Sequence, residues 1–444
     1  SNALSATEKD TDLASKENLG KIYVLSGRAW WGQGDYMKAI DDFNRYLHIA
    51  TSLADESMIA DAHFWLASSY SLAWNLEEGI VHYTKALELA RKMGNKFLEC
   101  RNLCELTQPL LRSTGMSDET LINLKEAARI SQEIGNKLLG GMTAFWLGVH
   151  YHWKGEFDPA EQELKRAILL TEESSNNLYY LFSMLQLGMA QASKGEYNDA
   201  LSNVQRCLQL CEDDGVLYFR SRALNTLGWI YHDLSDIELA LEHNNKALET
   251  AKDYLNLPSV LINLGSDYIY KEDYEKARKN FHEANESIQY IMCAPWRYEI
   301  KIYCGLGGVS LAEGDYAGAL ELADKALAIS RNAGAKKHLA KSLKLKAEVL
   351  SKMGNTEEAI ELMQDALETG QPVGNPPLLW QIHYGLGLLL EKQGNLQEAR
   401  EHYAEAVTLT ESTASKLDDA SLKNALLTAP ETKAMRDAYA GIQP

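Results

Sequence analysis

Six lysines, Lys336, Lys337, Lys341, Lys344, Lys346 and Lys352, fall in one helix-length segment that holds a single carboxylate, Glu348. Side chains of this type, at this density, can meet the acidic residues of a partner, or can simply face water. Two further patterns carry the residue types of metal chemistry. Cys100/Cys104 and Cys207/Cys211 are i, i+4 pairs, but a zinc site needs four ligands within bonding reach. Cysteine as a small buried apolar residue explains both pairs. His150 and His152 are two apart, hence nearly opposite on a helix, and cannot chelate together. The glycine runs at 305–308 and 385–387 follow no strand, so they are packing positions rather than phosphate loops. No P-loop, HExxH or GxSxG motif is present. These residues predict a chain with no catalytic group of its own, no bound metal and no cofactor.

The charge of the whole runs against the lysine segment. The 444 residues carry 44 Lys+Arg against 62 Asp+Glu, a formal charge of −18. That balance argues against nucleic acid and against anionic membrane surfaces as partners. No apolar run approaches the length of a membrane span, and no signal peptide is evident. Ser1–Ala3 reads as a vector scar, which predicts a native chain that continues upstream. Six cysteines in this length are not a disulfide framework, so a reducing, cytoplasmic setting is the expectation.

The elements that would position any site repeat with a period near 40. A small residue recurs at Ala39, Gly79, Thr120, Ala160, Ala200, Ala240, Ala277, Ala319, Ala359 and Ala399. Twelve residues before each lies a second series, from Gly27 and Ala67 to Gly228 and Gly387, and seven after most lies a third alanine. Between the first two series sit turn signals such as Gly34-Asp35-Tyr36 and Gly195-Glu196-Tyr197. Each repeat therefore reads as helix A, tight turn, helix B, with small residues where the two helices cross closely. Ser235 and Glu238 have capping-box spacing. Pro109, inside helix A of the third repeat, predicts a kink. The stretch 370–377 reads as a linker-like break. The domain reading is a polar leader over 1–18, an array of about ten repeats over 19–414, and a C-terminal cap over 415–444.

These residues resemble the tetratricopeptide repeat family. The family pattern is Leu-Gly-x-x-Tyr in helix A, then an alanine, a bulky residue and an alanine in helix B. Residues 147–167 and 227–247 are the fullest examples. The 40-residue period resembles the longer-helix subgroup found in bacterial regulatory and signalling arrays. The resemblance implies an all-α solenoid, a right-handed superhelix used for protein–protein interaction. Its concave surface would be lined by helix A. The family's pattern, applied repeat by repeat, gives an apolar middle and a cationic C-terminal stretch. Phe145, Val149, His152 and Trp153 come from the fourth repeat, Phe182 and Met189 from the fifth. Arg222, Asn225, Trp229 and His232 come from the sixth, Lys301 from the eighth, and Lys341, Lys344 and Lys352 from the ninth. The expected partner is a protein or peptide segment, apolar with acidic residues. Two alternatives stay open: a peptide or small-ligand sensor regulating a signalling ATPase, cyclase or transcription factor, and an apolar middle that is core or is covered by a second copy of the chain.

Overall fold

The structure, a computed structural model, describes residues 13–113, 115, 117–174, 177–213, 217–251, 256–288 and 294–442. All elements among these residues are helical, and the chain is an α-solenoid. The first helix, Leu13–Gly32, begins inside the expected leader; residues 1–12 lie outside the described residues. Helix pairs then follow in the expected order, from Leu13–Gly32 with Tyr36–Ser52 to Pro376–Gln393 with Leu396–Ser415.

Local chemistry sets the ends of these helices. Asp35, Asp55, Asn95, Asp273 and Asp315 each accept a hydrogen bond from a backbone N–H of the following first turn. The A–B turn needs a left-handed residue. Glycine supplies it at 34, 115, 155, 195, 314, 354 and 394, whereas Trp74, Ser235 and Glu272 adopt φ of 67°, 62° and 58° at the same point of their repeats. Ser235 is therefore a turn residue, and the capping box expected of it does not form. Asp236 caps instead, accepting from the Leu239 N–H at 3.2 Å.

The helix crossings explain the small residues. At Gly188, a methyl group would come within 2.4 Å of Val204 Cγ2 and 3.2 Å of the Ala200 carbonyl. Helix A of the third repeat is broken into Lys96–Glu105 and Thr107–Ser113. The break falls at Glu105–Leu106 because the Pro109 ring displaces the carbonyl four residues earlier.

The chain divides into two compact bodies, the first ending at Trp146 and the second beginning at Leu147. The first is cored by Phe43, Leu66, Tyr83, Leu103 and Ile130, with Phe43 stacked on Trp65 at 5.6 Å. In the second, the array curls back on itself. The turn after the fifth repeat's helix A meets the start of the tenth: a Cβ on Gly195 would lie 2.8 Å from the Pro376 ring. The Asn198 amide donates to the Lys416 carbonyl at 2.8 Å, and its oxygen accepts from the Asp418 N–H at 3.2 Å. The cap helices Ala420–Thr428 and Pro430–Gly441 place Leu422, Leu426 and Met435 in one apolar cluster with Tyr197, Tyr231 and Leu234. The stretch 370–377 is thus a contact point rather than a loose break. It contains a 3-10 turn, Gln371–Val373, with Val373 buried.

Candidate functional site

Two helices of the second body carry the positive charge. Trp296–Ala312 places Arg297 and Lys301 four apart on one face, and Lys336–Lys352 does the same with Lys337 and Lys341. The second helix has no acidic residue in its first turn and no side-chain cap, so its lysines add to the positive end of the helix dipole. Neither Lys301 nor Lys341 has an ion-pair partner among the described residues, and both are exposed.

Aromatic rings lie beside them. The Arg297 guanidinium sits 4.0 Å from the Trp153 ring centre, and Trp296 packs edge-on to Trp153 at 6.3 Å. Lys337 Nζ lies 5.3 Å from the Trp229 ring and donates to Ser193 Oγ at 3.2 Å. Enclosure by the surrounding protein, then Arg297, Lys341 and Lys337, pushes the Lys301 ammonium down to about 7, although water still reaches its side chain. Burial and Lys341 push Lys337 down to about 7 as well.

The fourteen residues expected on the concave face separate into three groups. Phe145, Val149, His152 and Asn225 are buried, at 6, 2, 9 and 7 % exposure, and present no surface to a partner. His152 is a strut: Gln186 bonds its Nδ1, and its Nε2 meets Ser193 Oγ at 3.3 Å. Burial, then Lys337, Arg297 and Lys301, holds its pKa well below the usual value. Asn225 donates to Asn244 Oδ1 at 3.1 Å, and Asn244 in turn donates to Asp267 Oδ2 at 2.7 Å. The second group, Trp153, Phe182, Met189, Arg222, Trp229 and His232, is half-buried. Within it Phe182 packs against Phe219 at 4.7 Å and lies under Arg222 at 5.6 Å. His232 Nδ1 donates to Asp267 Oδ1 at 2.7 Å; burial opposes its charge, but Asp267 outweighs that and raises its pKa.

Lysines form the third group. Lys344 is half-buried and paired with Glu348 at 2.8 Å, and Lys352 is exposed at the far end of its helix. Glu431, from the last helix, lies within electrostatic reach of Lys344 and is held above the usual carboxylate range, by burial first and by Glu348. Two lysines without an ion-pair partner among the described residues, Lys301 and Lys341, therefore stand in the N-terminal halves of the two helices. Arg297 and Trp296 were missed by sequence reasoning, yet a signal existed, since Arg297 precedes Lys301 by one helical turn.

Among the described residues, no group of three or more His, Cys, Asp or Glu side chains is placed to hold a metal ion. Among the same residues, no helix is long and apolar enough to cross a membrane.

Paired helices with glycine or alanine at nearly every crossing define a helical-repeat protein. Models of the tetratricopeptide repeat match residues 141–213 and 298–371, residues 345–414, and residues 221–254, together about half of the chain. The chain belongs to the tetratricopeptide repeat family, a scaffold fold used in protein interaction and typically without catalytic groups. A model of anaphase-promoting complex subunit 5 matches residues 23–147. Comparison with curated proteins finds no match. Among solved structures, the chain is similar to the apo form of RapI, with TM-score 0.53 and 16% identity over 61% of this chain and 98% of that one. A Rap protein complexed with competence and sporulation factor gives 0.55 and 15%, over 81% and 99%. The Rap conjugation gene regulator of plasmid pLS20, in complex with the Phr* peptide, gives 0.54 and 15%, over 79% and 98%. At these identities the likeness is one of fold.

Proposed function

We propose that the second body docks a short segment of a partner protein, or a free peptide, along the inner wall formed by its A helices. One observation carries this reading. Trp153 and Trp229 are half-buried, and each lies beside a cation, Arg297 and Lys337, in a chain whose net charge is strongly negative. Half-buried tryptophans have apolar area left to cover, and truncating such an anchor typically costs about 2 kcal/mol or more of binding. The charge favours acidic groups in the segment, through faster association as well as affinity.

A short segment suits this body better than a folded domain. The fifth repeat already touches residues 375 and 416–418, so the inner wall is enclosed by the chain's own turns. One of the fold neighbours was solved in complex with the Phr* peptide, which supports the same choice.

Selection of a random peptide library on the immobilised chain tests the proposal. Peptides with aromatic or aliphatic side chains and carboxylates should be enriched. Trp153→Ala with Trp229→Ala should weaken them about 30-fold or more. Enrichment of nothing, or retention at full strength by that double variant, refutes the reading.

A further inference from the structure

The four cations of the inner wall are arranged for a compact anion rather than for charges strung along a chain. Arg297 and Lys301 form one i, i+4 pair, and Lys337 and Lys341 form the second on the next A helix. Side chains one helical turn apart begin roughly 6 Å from each other, and packed helices stand roughly 8–10 Å apart. Long side chains rising from such a quartet can converge on a single centre. Like charges held this close repel unless something negative lies among them. The Asp233 carboxylate acts on both Lys301 and Lys337 against the repulsion of the neighbouring cations.

Two unsatisfied polar atoms point the same way. The Trp153 indole N–H is buried without a hydrogen-bond partner, while its ring lies under Arg297. His338 Nδ1 is likewise buried and unpartnered, and His338 feels Lys301, Lys341, Arg297 and Lys337 together. Buried polar groups are nearly always paired, so orphans beside four cations mark a place where a ligand's atoms belong.

We propose that Arg297, Lys301, Lys337 and Lys341 form a binding site for a compact anion with two or more negative charges, of the phosphate class. The anion is either free or carried by a side chain of the docked segment; in the second case the site rests on the docking function above. Phosphate offers several acceptor oxygens to four donors and the Trp153 N–H at once, which one carboxylate does not. Binding also restores full charge to Lys301 and Lys337, so it takes up protons near neutrality. His152 and His338, held neutral by burial and by these lysines, do not compete for the anion.

Calorimetric titration with inorganic pyrophosphate at low ionic strength, at pH 6.5 and 8.5, tests this. Saturable one-site binding is expected, tighter at pH 6.5 once the ionisation of pyrophosphate itself is allowed for, with a heat that varies with buffer ionisation. Lys301→Ala with Lys341→Ala should weaken it at least ten-fold, and both residues are exposed enough to remove without unfolding. Lys346→Ala, which removes the partner of Asp324, should leave it unchanged. A hexaglutamate peptide that binds as tightly as pyrophosphate, or a double variant that binds like wild type, overturns the proposal. A phosphoserine peptide that binds at least ten-fold tighter than both pyrophosphate and its unphosphorylated form assigns the anion to a docked segment; pyrophosphate binding as tightly assigns it to a free ligand. Pyrophosphate binding in a chain that enriches no library peptide leaves this site standing and removes the docking reading.

Discussion

Asn375 and Ser193 are 182 residues apart in the chain, and the Asn375 amide donates to the Ser193 carbonyl at 2.8 Å. The same side chain's oxygen accepts from the Leu378 N–H at 3.3 Å and caps the tenth repeat's first helix. One buried asparagine therefore starts a helix and ties the fifth repeat to the tenth. It holds the two repeats together where the array curls back on itself.

Asn375→Ala should cost about 2 kcal/mol, roughly one for the cap and one for the tie. Asn375→Asp separates the two, because it keeps the capping acceptor and sets a carboxylate against the Ser193 carbonyl. It should be at least as destabilising as alanine in equilibrium denaturation. An aspartate variant as stable as wild type would show that the tie contributes nothing.

Glu272 occupies a left-handed turn position that glycine fills in seven other repeats, and its side chain is exposed. A non-glycine residue there costs about 1–2 kcal/mol, partly offset by the extra freedom of glycine in the unfolded chain. Glu272→Gly should raise stability by about 0.5–1 kcal/mol, and Glu272→Ala should not. The equivalent change at Trp74 should gain less, because Arg112 lies 3.7 Å over that ring.

Asp267 is fully buried and accepts from both His232 and Asn244. Asp267→Asn should cost about 2–3 kcal/mol, since a buried network loses its charge partner. The His232 pKa, raised in the wild type, should fall. The stabilisation from His232 is present below the unfolded value and lost as pH rises through the folded one. Proton NMR titration of His232 in both proteins measures the shift directly.

Two histidine pairs occupy matching positions, the buried His63 and His82 in the first body and the buried His383 with half-buried His402 in the second, with Nδ1 atoms 2.7 and 2.9 Å apart. Burial, then the neighbouring histidine, pushes His63 down to about 4; burial and Lys85 do the same for His82, and burial and His402 for His383. Unfolded histidines titrate near 6.5, so stability is full above that value and falls as pH drops toward 4. The guanidinium midpoint should be lower at pH 5 than at pH 7.5. Replacing both members of a pair with leucine should flatten that dependence.

Much of this was legible in the chain because it is local. A glycine or alanine at most crossings, the turn glycines and Pro109 all act within a few residues, so the period near 40 and the broken third helix follow from them. Ser235 was misread because Ser-x-x-Glu spacing fits two registers. The turn's need for a left-handed residue decided between them. Lys344 and Lys352 were grouped with Lys341 because all three share a stripe, yet Glu348 and Glu431 answer the first and helix position removes the second.

By itself the sequence determined a stack of paired helices with an acidic exterior and a cluster of lysines on one helix, since period, caps and composition are properties of short segments. Only the tertiary structure decided that Val149, His152 and Asn225 are interior, and that Arg297 and Lys301 stand beside Lys337 and Lys341. Curvature is the reason. Small tilts at each helix crossing add over five repeats until the fifth meets the tenth, and no single repeat encodes that sum.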